Sequence, residues 1–341
     1  MIRNLRVRAL VLGAALALIT AGCGASGNST ELGVPALQKV GNLEKPTLNV
    51  AVLANIDSAG FFVALHEGLF AREGLRVNYT PAFSDSIISS QAKGQYDITG
   101  MNYVSYVEAQ VHHVANLHIF AEGSLLQDGS DVIMVMPHSR VQSLKDLKDH
   151  MLGVNTTANI GYLLVASMLA QNGLTARINS EPSANSVTLP ADANFPFPAS
   201  QPLVSGQVSA AIMSEPFATQ LAEQYGASII ADTNSGATSQ FPIDGYAVTK
   251  EWAKANPNTL KAFDSALEAG QEIADTNRQA VEAAFVALPS GRGHVDQSTA
   301  ALMALSNYPL GVTLDRLQRV PDVMQQFGLL KSRFDMRQLL D

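Results

Sequence analysis

From residue 48 onward the chain alternates short apolar, β-favouring runs with longer runs of helical periodicity, and this alternation narrows the possible folds more than any other feature. Residues 48–53 read as a strand, 60–72 as a helix and 75–79 as the next strand, with Gly74 placed to supply the left-handed residue that ends a helix. Residues 84–93 read as a second helix closed by Gly94, and 97–101 as a third strand. A β-α-β-α-β order requires a parallel sheet, because strands joined through a helix run the same way and the helices cover the faces. The middle repeats the theme, with strands at 132–136, 152–155 and 210–213, helices at 143–148, 160–172 and 215–225, and an irregular proline-rich stretch at 188–202. The C-terminal part reads as helices at 251–254, 258–275, 278–287, 297–306 and 314–327. There Leu260, Phe263, Leu267, Gly270 and Ile273 recur at helical spacing, which assigns them to core packing.

A length of 341 residues suggests about two domains at roughly 150 residues each, and 47% apolar content suffices for two cores. An internal echo agrees: Gly94-Gln95 and Gly206-Gln207 each stand after a helix and before a strand, as in two lobes of similar topology. The charge balance, 22 Lys+Arg against 30 Asp+Glu, argues against nucleic acid as a partner, since clustered cations are needed to displace counterions from phosphates.

The N-terminus reads as an address. Arg3, Arg6 and Arg8 precede an uncharged run from Ala9 to Gly22, too short for a bilayer-spanning helix of about 20 residues but suited to a secretory signal. The run ends Leu18-Ile19-Thr20-Ala21-Gly22-Cys23, which resembles the bacterial lipobox, in which the cysteine is lipidated and becomes the mature N-terminus. Cys23 is the only cysteine, so a disulfide framework, a redox pair and a cysteine-rich zinc site are excluded. Residues 1–22 are therefore expected to be a lipoprotein signal peptide and 23–46, rich in Gly, Ser, Asn and Pro, a flexible tether. Removing residues 1–22 takes away three Arg and no acid, leaving 19 basic and 30 acidic residues, a net charge of −11.

Catalytic signatures are missing: there is no GxSxG, HExxH, GxxxxGK[ST] or GxGxxG after a strand. Ser90-Gln91-Ala92-Lys93 fits SxxK without the KTG partner motif and reads as chance. His112, His113 and His118 lack the spacing that would turn them towards one ion, so no metal site and no cofactor are expected. What remains are loops at the C-terminal ends of the predicted strands, where open α/β sheets bind ligands. These are Asn55-Ile56-Asp57-Ser58, Phe83-Ser84-Asp85-Ser86 and Asn102-Tyr103 in the first half, then Asn155-Thr156-Thr157-Ala158-Asn159 and Ser214-Glu215-Pro216-Phe217 in the second. Helix capping accounts for any one of the polar residues in them. Five such loops converging on one cleft argue for ligand binding.

Residues 57–75, DSAGFFVALHEGLFAREGL, resemble the first helix of ABC-transporter solute-binding proteins of the nitrate, sulfonate and taurine type, a family that includes binders of thiamine-pyrimidine precursors. Ser143-Leu144-Lys145-Asp146-Leu147-Lys148, Gly153-Val154, Glu215-Pro216-Phe217, Gly245-Tyr246-Ala247-Val248-Thr249 and Asn256-Pro257 extend the resemblance over roughly residues 48–285 in the same order. It implies an α/β, two-lobed periplasmic-binding-protein-like fold of type II with a cleft between lobes. Residues 47–131 and 250–341 would form the first lobe and 137–244 the second, joined by hinge crossings at 132–136 and 245–249. It further implies an extracytoplasmic, lipid-anchored monomer that closes on a small solute and docks on an ABC permease, with no enzyme activity. Two departures stand out: Ser209 stands after Gly206-Gln207-Val208 where relatives have Asp, and Thr188 to Pro202 is unusually proline-rich; the cysteine-rich motif of pyrimidine-synthesising relatives is also absent.

The ligand-binding residues expected on this basis are Asp57, Ser58, Phe61, Ser84, Asp85, Asn102, Tyr103, Thr156, Thr157, Asn159, Glu215, Phe217 and Asp244. Four of these are acids and none is Lys or Arg, so a neutral or amine-bearing solute, such as a flat heterocycle stacked on Phe61, Tyr103 or Phe217, is expected over an inorganic anion. The competing readings are a sulfonate- or nitrate-type anion binder, a solute-binding sensor and, last, a secreted enzyme.

Overall fold

The computed structural model describes residues 41–156, 159–178, 185–190, 198, 200–291 and 293–341. The first half runs β1 (Thr47–Leu53), α1 (Ala59–His66), α2 (Leu69–Arg72), β2 (Arg76–Ala82), α3 (Ser86–Ala92), β3 (Ile98–Asn102), α4 (Tyr103–Val111) and β4 (Leu117–Glu122). It continues with β5 (Asp131–Val135), β6 (Leu152–Gly153), α5 (Ile160–Gln171), β7 (Thr175–Ile178), β8 (Ser186–Leu189), α6 (Ser200–Val204), β9 (Ala210–Ser214), α7 (Phe217–Tyr225) and β10 (Ser228–Asp232). The chain ends with β11 (Asp244–Thr249), α8 (Lys250–Ala255), α9 (Pro257–Thr276), α10 (Arg278–Ala287), α11 (Gln297–Leu302), α12 (Leu314–Gln326) and α13 (Arg337–Leu340). The single helix expected over 60–72 is two, because Gly68 adopts φ 68°, a left-handed conformation that interrupts the helical turn.

Two main sheets result, in the orders β2-β1-β3-β11-β4 and β10-β5-β9-β6, with β7 and β8 as a separate pair. The parallel β1–β3 unit is as expected. β11 runs antiparallel to both its neighbours, and β5 runs antiparallel to β9. Both Gly-Gln pairs stand where the echo implies, each glycine in the left-handed region after a helix and before an inner strand, at φ 77° for Gly94 and 75° for Gly206.

The expected hinge crossings, 132–136 and 245–249, fall in or directly beside single strands. Residues 132–135 lie within β5 and 245–249 within β11, inner strands of the second and first sheet, whose burial on both faces explains their apolar sequence. The chain passes between sheets just before each of them, through 123–130 and 233–243. These two segments pair, with Leu126 N donating to Phe241 O at 2.8 Å and Ile243 N to Ser124 O at 3.0 Å.

The first lobe is packed around an aromatic cluster in which Phe70 stacks on Phe263 at 4.6 Å and Phe61 meets Phe62, Tyr79 and Tyr246. At the end of β4 the buried Glu122 takes a bidentate pair from Arg316, at 2.6 and 3.1 Å, and the Thr313 N–H at 2.6 Å, which fixes the start of α12. In the second lobe alternate residues of β5 face opposite cores: Val132 and Met134 pack with Met213 and Leu221, while Ile133 and Val135 join the cluster holding Leu163. Among the described residues no helix is long and apolar enough to cross a membrane.

Candidate functional site

A cleft of about 480 Å³ lies where strand ends of the two lobes meet. The first lobe contributes Asn55 and Asp57 after β1, Phe83, Ser84 and Asp85 after β2, and Asn102 at the end of β3. The second contributes Asn155 and Thr156 after β6, Asn159 and Gly161 at the start of α5, and Ser214 at the end of β9. Asp131 also lines it, from the beginning of a strand. β5 is antiparallel to β9, so Asp131 stands opposite Ser214 in the ladder and reaches the cleft from its N-terminal end. The remaining wall is aliphatic, with Leu53, Met101, Ile160, Leu164, Ile212 and Ile243.

Several polar residues have two tasks. Asn102 caps α4, its Oδ1 accepting from Ser105 N at 2.9 Å, and Asn159 caps α5, its Oδ1 accepting from Gly161 N at 3.1 Å. Asp85 accepts from Ser105 Oγ at 2.6 Å, yet burial still raises its pKa.

The floor is acidic. Asp57 is 1% exposed and accepts from Asn55 Nδ2 at 2.7 Å, Ser124 Oγ at 2.8 Å and Ser306 Oγ at 3.2 Å. Behind it Asp244 faces Ser124 Oγ at 3.2 Å and Ser58 Oγ at 3.4 Å. Ser124 has one proton for two carboxylates, so its second contact requires a proton on a carboxyl. Burial, and then the charge of Asp57, hold the Asp244 pKa well above the ordinary carboxylate range. A side chain at Gly123 would collide with Asp244 Oδ1, so this packing needs glycine there. Asp131 is 8% exposed; burial first, then Asp57, Asp232, Glu215 and Asp244, raise its pKa strongly. Among the described residues its Oδ2, together with Asn55 Oδ1 and Ser214 Oγ, has no hydrogen-bond partner.

Of the residues expected at the site, Asp57, Ser84, Asp85, Asn102, Thr156 and Asn159 line the cleft. Ser58 and Asp244 lie behind its wall, bonded to each other. Phe61 and Tyr103 are fully buried, Phe61 in the aromatic cluster and Tyr103 against Gly245, because the inward faces of α1 and α4 carry them into the core rather than the cleft. Glu215 is buried outside the lining, accepting from Thr219 N at 3.2 Å, Thr219 Oγ1 at 2.8 Å and Ala304 N at 3.3 Å, while its carbonyl accepts from Ile56 N at 2.9 Å. Phe217 begins α7 and is not in the lining. Thr157 and Cys23 fall outside the described residues. Asn55, Phe83, Asn155 and Ser214 sit in loops that the sequence singles out, whereas Asp131 does not. Its signal would have been an acid opening an otherwise wholly apolar strand.

No Lys, Arg or His lines the cleft among the described residues, and no group of three or more His, Cys, Asp or Glu among them could hold a metal ion. The sequence of residues 157–158, 179–184 and 191–197 contains no Lys, Arg or His.

A match to the family described as NMT1/THI5 like spans residues 55–280, taking in both lobes and every strand from β2 to β11. The chain belongs to the NMT1/THI5-like family. Solved structures agree with that membership in fold. The alkanesulfonate-binding protein SsuA from Xanthomonas axonopodis pv. citri, bound to MOPS, is 15% identical with a TM-score of 0.66, covering 88% of this chain and 99% of that one. The nitrate-binding protein NrtA from Synechocystis PCC 6803 is 14% identical with a TM-score of 0.66, covering 87% and 85%. A Candida albicans protein described as having the generic periplasmic binding protein fold is 14% identical with a TM-score of 0.65, covering 87% and 96%. No curated protein sequence matches. This NMT1/THI5-like chain thus has the two-lobed periplasmic-binding-protein fold, and its cleft lies between the lobes.

Proposed function

We propose that this protein is the extracytoplasmic solute-binding component of an ABC importer, tethered to the membrane by lipid on Cys23. It acts as a monomer, closes its lobes on a small neutral or amine-bearing solute and delivers it to a permease. The observation that carries this reading is the cleft, walled by both lobes and furnished with polar groups that helix caps hold in place. No Ser–His, Cys–His or Ser–Lys pair stands among its described lining residues, which supports holding a molecule rather than transforming it. Family membership supports the same reading. Asp57, Ser84, Asp85, Asn102, Thr156 and Asn159 are the proposed contacts, and the paired segments 123–130 and 233–243 the proposed hinge.

The named relatives bind an alkanesulfonate and nitrate. An anion is disfavoured here, since helix N-termini alone would have to outweigh Asp57, Asp85 and Asp131. Adding the small-molecule fraction of a cell extract to the full chain is expected to raise its melting temperature by mass action and to shrink its radius of gyration in solution scattering. Conversion of the bound solute to another molecule would sink the reading. Cys23→Ser is expected to move the protein from the membrane to the soluble fraction on cell fractionation, and unchanged membrane retention would remove the lipid anchor from it.

A further inference from the structure

Resting on that reading, we infer that the cleft recognises a primary ammonium group on an aliphatic body, held by Asp131, Asn55 and Ser214. Three unpartnered oxygens carry the inference. Asp131 Oδ2, Asn55 Oδ1 and Ser214 Oγ belong to residues 8%, 4% and 5% exposed, and all three residues line the cleft. They are neighbours by construction. Asp131 and Ser214 face each other across the β5–β9 ladder, and the bond from Ile56 N to Glu215 O sets Asn55 beside Ser214.

Their polarity is constrained as well. Asn55 gives its amide to Asp57 at 2.7 Å and its remaining Oδ1 can only accept, and Asp131 Oδ2 accepts once a bound cation keeps the carboxyl ionised. The Ser214 hydroxyl, which can donate or accept, is able to serve as a third acceptor. Three buried acceptors call for three donors on one atom, and an ammonium brings three N–H groups together with the charge that a floor of carboxylates favours. A neutral hydroxyl offers a single donor, and a sulfonate or nitrate offers none. Backbone placement keeps the acceptor of the second lobe in position: the Asp131 carbonyl accepts from Thr233 Oγ1 at 2.7 Å and from Thr233 N at 3.2 Å. Away from this corner, Leu53, Met101, Ile160, Leu164 and Ile212 offer an aliphatic lining, and the aromatic residue of the wall, Phe83, is 43% exposed. The body of the solute is therefore aliphatic rather than a stacked flat ring.

Four probes with one hexyl body separate the possibilities: hexylammonium, hexyltrimethylammonium, hexanol and hexanesulfonate, each added at millimolar concentration to the full chain while melting temperature and radius of gyration are followed. Hexylammonium is expected to raise the first and reduce the second, and hexyltrimethylammonium, equal in charge but without donors, to do neither. Asp131→Asn, the same size with an amide in place of the acid, is expected to weaken hexylammonium about tenfold to hundredfold by calorimetry, and Ser214→Ala less. No response to hexylammonium, an equal response to hexyltrimethylammonium, or an unchanged affinity in folded Asp131→Asn overturns the ammonium site. Compaction by hexanol or hexanesulfonate alone would overturn it while leaving solute capture standing. If no probe and no extract compacts the protein, both fail.

Discussion

Asp57 and Asp131 line one cleft and both are more than nine-tenths buried, yet their surroundings are opposite. Asp57, from the first lobe, is held by three hydrogen bonds from Asn55, Ser124 and Ser306. Asp131, from the second, has an oxygen with no partner and four other acids acting on it. Burial raises the pKa of both, but for Asp57 the three bonds oppose it, whereas for Asp131 the neighbouring charges add to it. A carboxylate satisfied within its own lobe is part of the architecture. One left unsatisfied at the junction of two lobes costs stability and is a group for something else to complete.

The largest expected effect breaks the architectural side of the contrast. Asp57→Ala leaves Asn55, Ser124 and Ser306 facing a lost acceptor in a buried site, and should lower the unfolding free energy by about 3 kcal/mol, in the range for bonds to a charged group. Asp131→Asn removes an acid whose charged form folding disfavours and breaks no bond to its Oδ2, so it should raise stability by about 1 kcal/mol. Urea unfolding of the two variants, read from midpoints at constant slope, checks both. Equal destabilisation by the two substitutions would erase the distinction between the lobes' acids.

How far the sequence reaches into this contrast depends on the range of the interaction. The β1–β3 unit and the Gly-Gln turns were legible because periodicity and a left-handed glycine are local properties. β4 and β10 escaped, since Leu117–Glu122 mixes His118 and Glu122 into its apolar run and Ser228–Asp232 is a half-exposed edge. The direction of β11 is a matter of long-range pairing, and no nearby residue announces it. Asp57, Asp85, Asn102 and Asn159 could be read as cleft residues because they follow strands or start helices, where the backbone itself faces the crevice. Phe61 and Tyr103 occupy the same loops and helix starts, but a helix turns about 100° per residue, and their positions on that turn face the core. Asp131 lay outside every such loop. An antiparallel strand brings its beginning, not its end, to the cleft, and the lack of a partner for its Oδ2 exists only in three dimensions.

The smallest effect, and the one that reads the unpartnered acid directly, is the pH dependence of stability without solute. An acid whose pKa is raised by folding keeps its proton in the folded chain at pH values where the unfolded chain has lost it. The folded state then binds more protons, so stability falls as pH rises from the ordinary Asp value of about 3.9 through the raised one. Asp131, Asp244 and, less strongly opposed by its bonds than favoured by burial, Asp57 all act in this direction. So does Asp264, which burial and Glu268 push up to about 7. His118, whose pKa burial and then Lys250 lower, acts in the opposite sense, since protonating it in the unfolded chain costs stability as pH falls. The comparison that cancels these shared contributions is the difference in slope between the parent protein and Asp131→Asn. Melting temperature should fall in the parent as pH rises from about 4, by about 3 °C for each kcal/mol of linkage, and fall less in Asp131→Asn. Asp264→Asn should flatten the slope independently, since it lies on α9, far in sequence from the cleft residues and absent from their lining. An unchanged slope in Asp131→Asn would mean that this carboxyl already has its partner within the protein, and the contrast with Asp57 would collapse.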